Sequence, residues 1–414
     1  MYTQLFPLFF SFLSLILFSI SCEAMPKWPI KEMDLLASLS RKALSHRKEK
    51  LAHFLNIRDL SDPSHGPHAV NLVVDKIKET FSSKLDNPSI LFCRGGPISD
   101  VTEEFDALYI PSTDKQRSSR YTRYISEKQI LRSHTTALIP RFLKKIRSEN
   151  INDVYAFCPG MCYRRTVINK MYTSEPHKLD IWRIKRGNLL EERHLEDLIE
   201  IVLEGIGIGL EYRTQRTSHP YTLKGLKIDL KLGADQWIRL MECGQALPQL
   251  LEDSGLDSKK YTGLALGLGL DRLVMAVKHL DDIRLLRSDI PSIKSQMTTL
   301  APYEPTIDRY KTFTRNFTFT SLFDIEEEDL CELIREILGE DSRFVEKLQL
   351  LSPDNRFPIM NLPLSTKHYT KVNRYSFNLI FGSNEEKITS NQVDFLSAQI
   401  TTALHNIQKI PLIN

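Results

Sequence analysis

Cysteine, tryptophan and net charge are all scarce in this sequence. Its 414 residues include six cysteines and three tryptophans, and Lys plus Arg outnumber Asp plus Glu by only 55 to 52. So few thiols cannot supply the dense disulfide framework of a small secreted domain. A formal charge of +3 sets up no global field for nucleic acid, so DNA is not an expected partner and any polyanion must be met by local patches. There is no internal repeat and no low-complexity tract. What is present is 42% hydrophobic and 26% charged, the composition of an ordinary globular protein long enough for two or three domains.

One segment departs from that pattern. Residues 5–21, LFPLFFSFLSLILFSIS, are apolar and are followed by CEAM, whose Cys22 and Ala24 are spaced like a signal-peptidase site. Yet residues 1–4 carry no Lys or Arg, which an export signal needs, and residues 1–24 have none of the arginines of a transit peptide. Cleavage after Ala24 would leave Cys93, Cys158, Cys162, Cys243 and Cys331, an odd number suited to a reducing compartment. Residues 1–24 are read as a dispensable leader or a mis-assigned start ahead of Met25. The expected location is cytoplasmic, with export or an organelle as the alternative if the leader is used.

From residue 33 to 55 apolar residues recur at helical spacing, with Arg41, Lys42, Arg47, Lys48 and Lys50 on other faces. This is either a solvated surface helix or one that touches RNA phosphates. After the turn-rich SDPSHGPH, residues 69–81 form a good amphipathic pattern. Between residues 87 and 300, β-type runs (SILFCR, YAFCPG, CYRRTVI, LDIWRI, KGLKIDLKL, QWIRLMECG) alternate with Gly and Pro breaks and read as one extended antiparallel sheet. Helical patterns at 133–148, 194–210 and 271–280 flank it. The proline-bearing LAPYEPTID reads as a linker, and the last hundred residues follow the order β-α-β-β-α, most of a split βαβ module.

Two stretches carry chemistry. In CPGMCYRRTVINKMYTSEPHKLDIWRI a strand-like run leads to Arg164 and Arg165, a polar loop follows, and a second strand returns. An arginine at such a hairpin can hold a phosphate, because guanidinium is planar, permanently charged and bidentate. In YTGLALGLGLDRLVMAV a β-like run meets an amphipathic helix at Gly267, Gly269, Asp271 and Arg272. It lacks the third glycine of a dinucleotide fingerprint and the Lys-Ser/Thr of a P-loop, and it is too short and broken to span a bilayer, so no stable membrane association is expected. Glycine at two points of a strand suits close backbone packing beside a ligand. Cys158 and Cys162 with His177 invite a zinc reading, but C-x₃-C without a second pair is poor ligand spacing.

YRR followed by H-x-L-D resembles motif 2 of class II aminoacyl-tRNA synthetases, and GLGLDRL resembles motif 3. More narrowly, EEFDALYIP, LRSHTTA, HPYT, ECGQALP and GLALGLGLDR resemble, in order, blocks of phenylalanyl-tRNA synthetases of the single-chain organellar type. The resemblance covers about residues 60–405. It implies an α+β fold: the class II synthetase antiparallel sheet flanked by helices, plus a C-terminal ferredoxin-like α/β sandwich that binds the anticodon. The implied division is a 1–24 leader, a 25–60 helical segment, a 61–300 catalytic domain and a 301–414 anticodon-binding-like domain.

The same resemblance implies ATP and Mg²⁺ as cofactors, with tRNA and an amino acid, phenylalanine favoured, as partners. Arg164 would hold the α-phosphate of ATP and Arg272 the γ-phosphate, with His177, Gly267 and Gly269 beside the nucleotide. His134, Thr136, Lys178, Asp180, His219, Tyr221 and Ala265 would surround the amino acid, and Glu242 is the candidate magnesium ligand or a structural carboxylate. Some positions depart from the family's pattern. Thr166 stands where motif 2 has an acid, and Pro176 where an aromatic stacks on adenine. Lys178 replaces a glutamine at the ammonium group, Asp180 a glutamate, and His219 the first of two phenylalanines. These departures leave open a paralogue that activates another amino or carboxylic acid or charges a non-tRNA acceptor, and a non-catalytic RNA-binding relative.

Overall fold

The computed structural model describes residues 50–207, 211–232, 236–305, 311–321, 324–351 and 373–408. The apolar leader and most of the helix expected over 33–55 lie outside them; residues 50–56 are helical. The chain divides into two compact units, Arg58–Arg309 and a second that joins Met1–Ile57 to Tyr310–Asn414.

The first unit is built on a sheet of seven strands: β1 (Ile90–Phe92), β4 (Asp153–Met161), β5 (His177–Arg186), β6 (Tyr212–Arg216), β7 (Thr222–Leu232), β8 (Gln236–Ala246) and β9 (Tyr261–Gly269), in the order β1-β4-β5-β9-β8-β7-β6. A separate ladder pairs β2 (Ile98–Asp100) with β3 (Gln129–Leu131). The large sheet is antiparallel except at one edge, where β1 runs parallel to β4; the expectation of a wholly antiparallel sheet is corrected there. It is also corrected at CYRRTVI. That run is not a strand: β4 stops at Met161, and beyond it Cys162 donates to the carbonyl of Pro176 and Arg164 to that of Ser174 as the hairpin loop begins.

Alternation along the strands gives the sheet two different faces. Leu179 and Ile181 of β5, with Leu264, Leu266 and Leu268 of β9, face helices α1 (Ala69–Lys84), α3 (Glu192–Ile206) and α5 (Leu270–Lys278), and all belong to the larger core cluster. Close packing of α3 on α1 requires Gly205, since a Cβ there would lie 2.9 Å from Thr80 Oγ1 and 3.2 Å from the Ile77 backbone. On the opposite face Trp182 and Ala265 join Ala156 and Cys158 in a second cluster, covered by α2 (Ile139–Glu149) and α4 (Pro248–Asp253). Beyond that cluster on the same face come the buried Asp180 and then Lys178, Gly267 and Gly269, which are partly exposed.

The second unit has strands β10 (Phe313–Ser321), β11 (Val345–Leu351) and β12 (Asn373–Phe381), antiparallel in the order β10-β12-β11, and helices α6 (Glu327–Leu338) and α7 (Ser390–Gln408). Period-two apolar residues Phe317, Phe319, Tyr375, Phe377 and Leu379 supply its buried side, and Lys50 forms an ion pair with Glu336 of α6.

Candidate functional site

Register sets the side chains of this second face in rows. Lys178 of β5 lies between Gly160 of β4 and Gly269 of β9; Asp180 lies between Cys158 and Gly267, which in turn faces Glu242 of β8; Trp182 lies between Ala156 and Ala265, next to Gly244. Charged groups therefore stand beside positions without side chains. A Cβ on Gly267 would sit 3.6 Å from Asp180 Oδ1, and one on Gly269 would sit 3.6 Å from Lys178 Nζ. Glycine at both keeps the space above the carboxylate and the ammonium free.

Asp180 is held from one side. Thr135 Oγ1 donates to its Oδ2 at 2.5 Å and Thr136 Oγ1 to its Oδ1 at 2.9 Å. Both threonines are placed by Glu104, whose Oε1 accepts from Ser133 N (2.6 Å), Ser133 Oγ (2.8 Å) and His134 N (3.0 Å). The His134 ring is buried and lies 3.6 Å from the same carboxylate oxygen. Tyr221 hydrogen-bonds with Thr136 and stacks on Trp182 with ring centroids 6.2 Å apart, and its phenol is pushed well up by burial. His219 lies 5.6 Å from Tyr221, ring to ring. Contacts thus link Asp180 through Thr136 to Tyr221 and on to His219, and Ala265 stands beside Trp182 on the neighbouring strand.

Arg164 donates from Nε to Ser133 O at 2.7 Å, which fixes its guanidinium beside the segment that carries Thr135 and Thr136. Arg272, in the first turn of α5, donates to Arg239 O at 3.1 Å and lies 4.5 Å over the Tyr172 ring. Far apart in the chain, the two arginines act on the same neighbour. Burial first, and then the charges of Arg164 and Arg272, lower the Lys178 ammonium to about 8. Arg272 is itself lowered, chiefly by burial, with Arg164 among the groups that act on it. The Lys178 ammonium leans over Gly269 and forms no ion pair with Asp180 among the described residues. Lys178 and Arg272 therefore stand at the N-terminus of α5, with the Arg164 charge acting on both, and the helix dipole adds positive potential.

His177 is the correction at this site. Expected beside the nucleotide, its ring is fully buried with both nitrogens engaged by protein. Leu60 N donates to Nε2 at 3.0 Å and Arg287 approaches it at 3.2 Å, which leaves the proton on Nδ1 to be donated to Asp271 Oδ1 at 2.7 Å. Asp271 Oδ2 also accepts from His177 N at 2.5 Å. Burial works against the Asp271 charge, but His177 and its hydrogen bonds outweigh it and hold the carboxyl below its usual range. This link joins the first residue of β5 to the first turn of α5. It therefore sets Lys178 and Arg272, the next residue on each side, relative to each other.

Glu242 is engaged from two sides, by His219 Nε2 at 2.9 Å and Arg239 at 3.0 Å; the His219 hydrogen bond first, and neighbouring positive charge after it, keep its carboxyl low. No group of three His, Cys, Asp or Glu suited to a metal occurs among the described residues. Magnesium commonly takes one or two carboxylates and completes its shell with substrate phosphates and water; Glu242 could serve in that mode only by exchanging its His219 and Arg239 partners for the metal. Cys158 hydrogen-bonds with Cys93 and Cys162 is separately buried, while His177 is spent on Asp271, so the three do not form a ligand set.

Three contributors escaped the sequence pattern. Tyr172 lies on the hairpin loop and could be found only once that loop is seen to reach Arg272. Glu104 sits in the EEFDALYIP block, where nothing local marks which acid turns inward. Asp271 reads in sequence as an ordinary first-turn acid of a helix.

The family described as tRNA synthetases class II core domain (F) matches residues 56–296, more than half of the chain, and the chain belongs to it. Among curated relatives, the phenylalanine–tRNA ligase alpha subunit of Synechocystis sp. is 26% identical over 230 residues, covering 55% of this chain and 66% of that protein. The alpha subunit of Prochlorococcus marinus strain MIT 9312 is 29% identical over 246 residues, covering 59% and 68%. The chain thus spans just under two thirds of the Synechocystis protein. The solved pyrrolysyl tRNA synthetase PylSc of Desulfitobacterium hafniense is 18% identical with a TM-score of 0.41, over 64% of this chain and 86% of that one. No helix among the described residues is long and apolar enough to cross a membrane.

Proposed function

We propose that this chain is an ATP-dependent aminoacyl-tRNA synthetase that activates phenylalanine. The observation that carries the proposal is that Arg164 and Arg272, far apart in the chain, both act electrostatically on Lys178, whose ammonium lies over the side-chain-free Gly269. A carboxylate oxygen of the amino acid attacks the α-phosphorus of ATP; an O–P bond forms, the bond to the β-phosphate oxygen breaks, and pyrophosphate leaves. The acyl group then passes to a ribose hydroxyl of tRNA. Arg164 holds the α-phosphate and Arg272 the γ-phosphate, so the protein works by orientation and charge stabilisation rather than by a general base. Asp180, with Thr135 and Thr136 behind it, takes the ammonium group. Tyr221, Trp182 and Ala265 bound the ring pocket, where edge and face contacts suit an aromatic side chain. Magnesium, with Glu242 as its protein carboxylate, would neutralise phosphate charge.

The strand order of the second unit, first-third-second with two helices, supports a split βαβ module that serves tRNA. ATP–pyrophosphate exchange scanned over amino acids tests the whole reading. Stimulation by phenylalanine is expected; stimulation by another acid would favour a paralogue of different specificity, and none at all would leave a non-catalytic relative. Arg164→Ala and Arg272→Ala should each reduce exchange by ~10²-fold or more, and an unchanged rate in either contradicts its assignment.

A further inference from the structure

We propose that Lys178 reads the α-carboxylate of the amino acid, so that Lys178 and Asp180 act together as a zwitterion reader; this rests on the synthetase function proposed above. Lys178 and Asp180 occupy alternate positions of β5 and face the same side. Their head groups lie against Gly269 and Gly267, alternate positions of β9, and such positions are about 7 Å apart. An ammonium–carboxylate pair spans that gap with one hydrogen bond at each end. Asp180 keeps acceptor capacity toward the cleft, because Thr135 and Thr136 approach it from behind.

Lys178 has no hydrogen bond or ion pair among the described residues, and its ammonium leans over Gly269 with nothing on that glycine to cover it. Burial and two flanking arginines make the bare cation costly, and an arriving carboxylate relieves that cost. Glutamate and aspartate neighbours do not serve instead: Asp271 is committed to His177, and Glu242 to His219 and Arg239. Arg164 and Arg272 remain for the nucleotide. In this arrangement the lysine also places the attacking oxygen between the ammonium subsite and the α-phosphate.

Calorimetric titration of the full chain with phenylalanine and with phenylalaninol, which keeps the ammonium and ring but lacks the carboxylate, tests the assignment. Lys178→Met should weaken phenylalanine at least ~10-fold and leave phenylalaninol within about twofold, while Lys178→Arg should recover part of the loss. Unchanged phenylalanine binding, an equal loss for both ligands, or a loss confined to ATP would each overturn it. Exchange assays run alongside separate the two proposals. A wild type that binds phenylalanine without exchanging pyrophosphate sinks the synthetase function and leaves the lysine result standing. Binding of neither ligand overturns both.

Discussion

Lys178 stands charged and half-buried next to two guanidinium groups, and that arrangement has a consequence for stability. Its pKa falls from 10.5 to about 8 in the folded chain, so at neutral pH the empty site carries a penalty on the order of 2 kcal/mol, allowing for the part of the side chain open to water. Lys178→Met should therefore raise the melting temperature of the ligand-free protein at pH 7. Between pH 8 and 10.5 the unfolded chain binds the proton more readily than the folded one, so wild-type stability rises with pH relative to the variant and the difference shrinks. Calorimetric scans at pH 7 and pH 9.5 measure it, and a gap that widens with pH contradicts the sign. Gly267→Ala probes the floor. The added methyl would meet Asp180 at 3.6 Å, an ordinary contact, so folding should survive while the methyl occupies ligand space. An unchanged melting temperature with at least ~10-fold weaker amino-acid binding is expected; unaltered binding would show that the ligand lies elsewhere.

At the scale of elements, the pairing of β5 with β9 and the His177–Asp271 link decide where the chemistry stands. Asp271→Asn should cost about 3 kcal/mol, since a charge-assisted bond and its backbone partner are both weakened in a buried place. Denaturant unfolding checks it, and a loss below a few tenths would show that α5 is held by other contacts. This element pair also shows what was legible in the sequence. Alternation in LDIWRI and LALGLG marked two strands, and the adjoining glycines and Arg272 marked an opening at the helix start. The His177 role was not legible, because a histidine beside a proline in a loop gives no sign that Leu60 and Asp271 will enclose it. CYRRTVI misled for a related reason: its β-type residues are locally suited to a strand, but β4 ends at Met161, and Arg164 is fixed instead through Ser133 and Ser174. The short parallel edge β1 and the exposed strand β6 carried too few residues to reveal their direction or pairing.

At the scale of the whole molecule, both large core clusters lie within Arg58–Arg309. Every residue assigned to ATP and amino acid is in that unit. Removing residues 310–414 should therefore leave ATP–pyrophosphate exchange within a few-fold of the full chain and weaken tRNA charging; exchange that collapses in a folded truncation contradicts the separation of roles. The most direct test of the central claim is a crystal structure of the full chain with a non-hydrolysable phenylalanyl-adenylate analogue and pyrophosphate. Arg164 is expected on the group that replaces the α-phosphate and Arg272 on the pyrophosphate, above Gly267 and Gly269. An analogue bound away from that floor, with either arginine out of reach of it, would contradict the account.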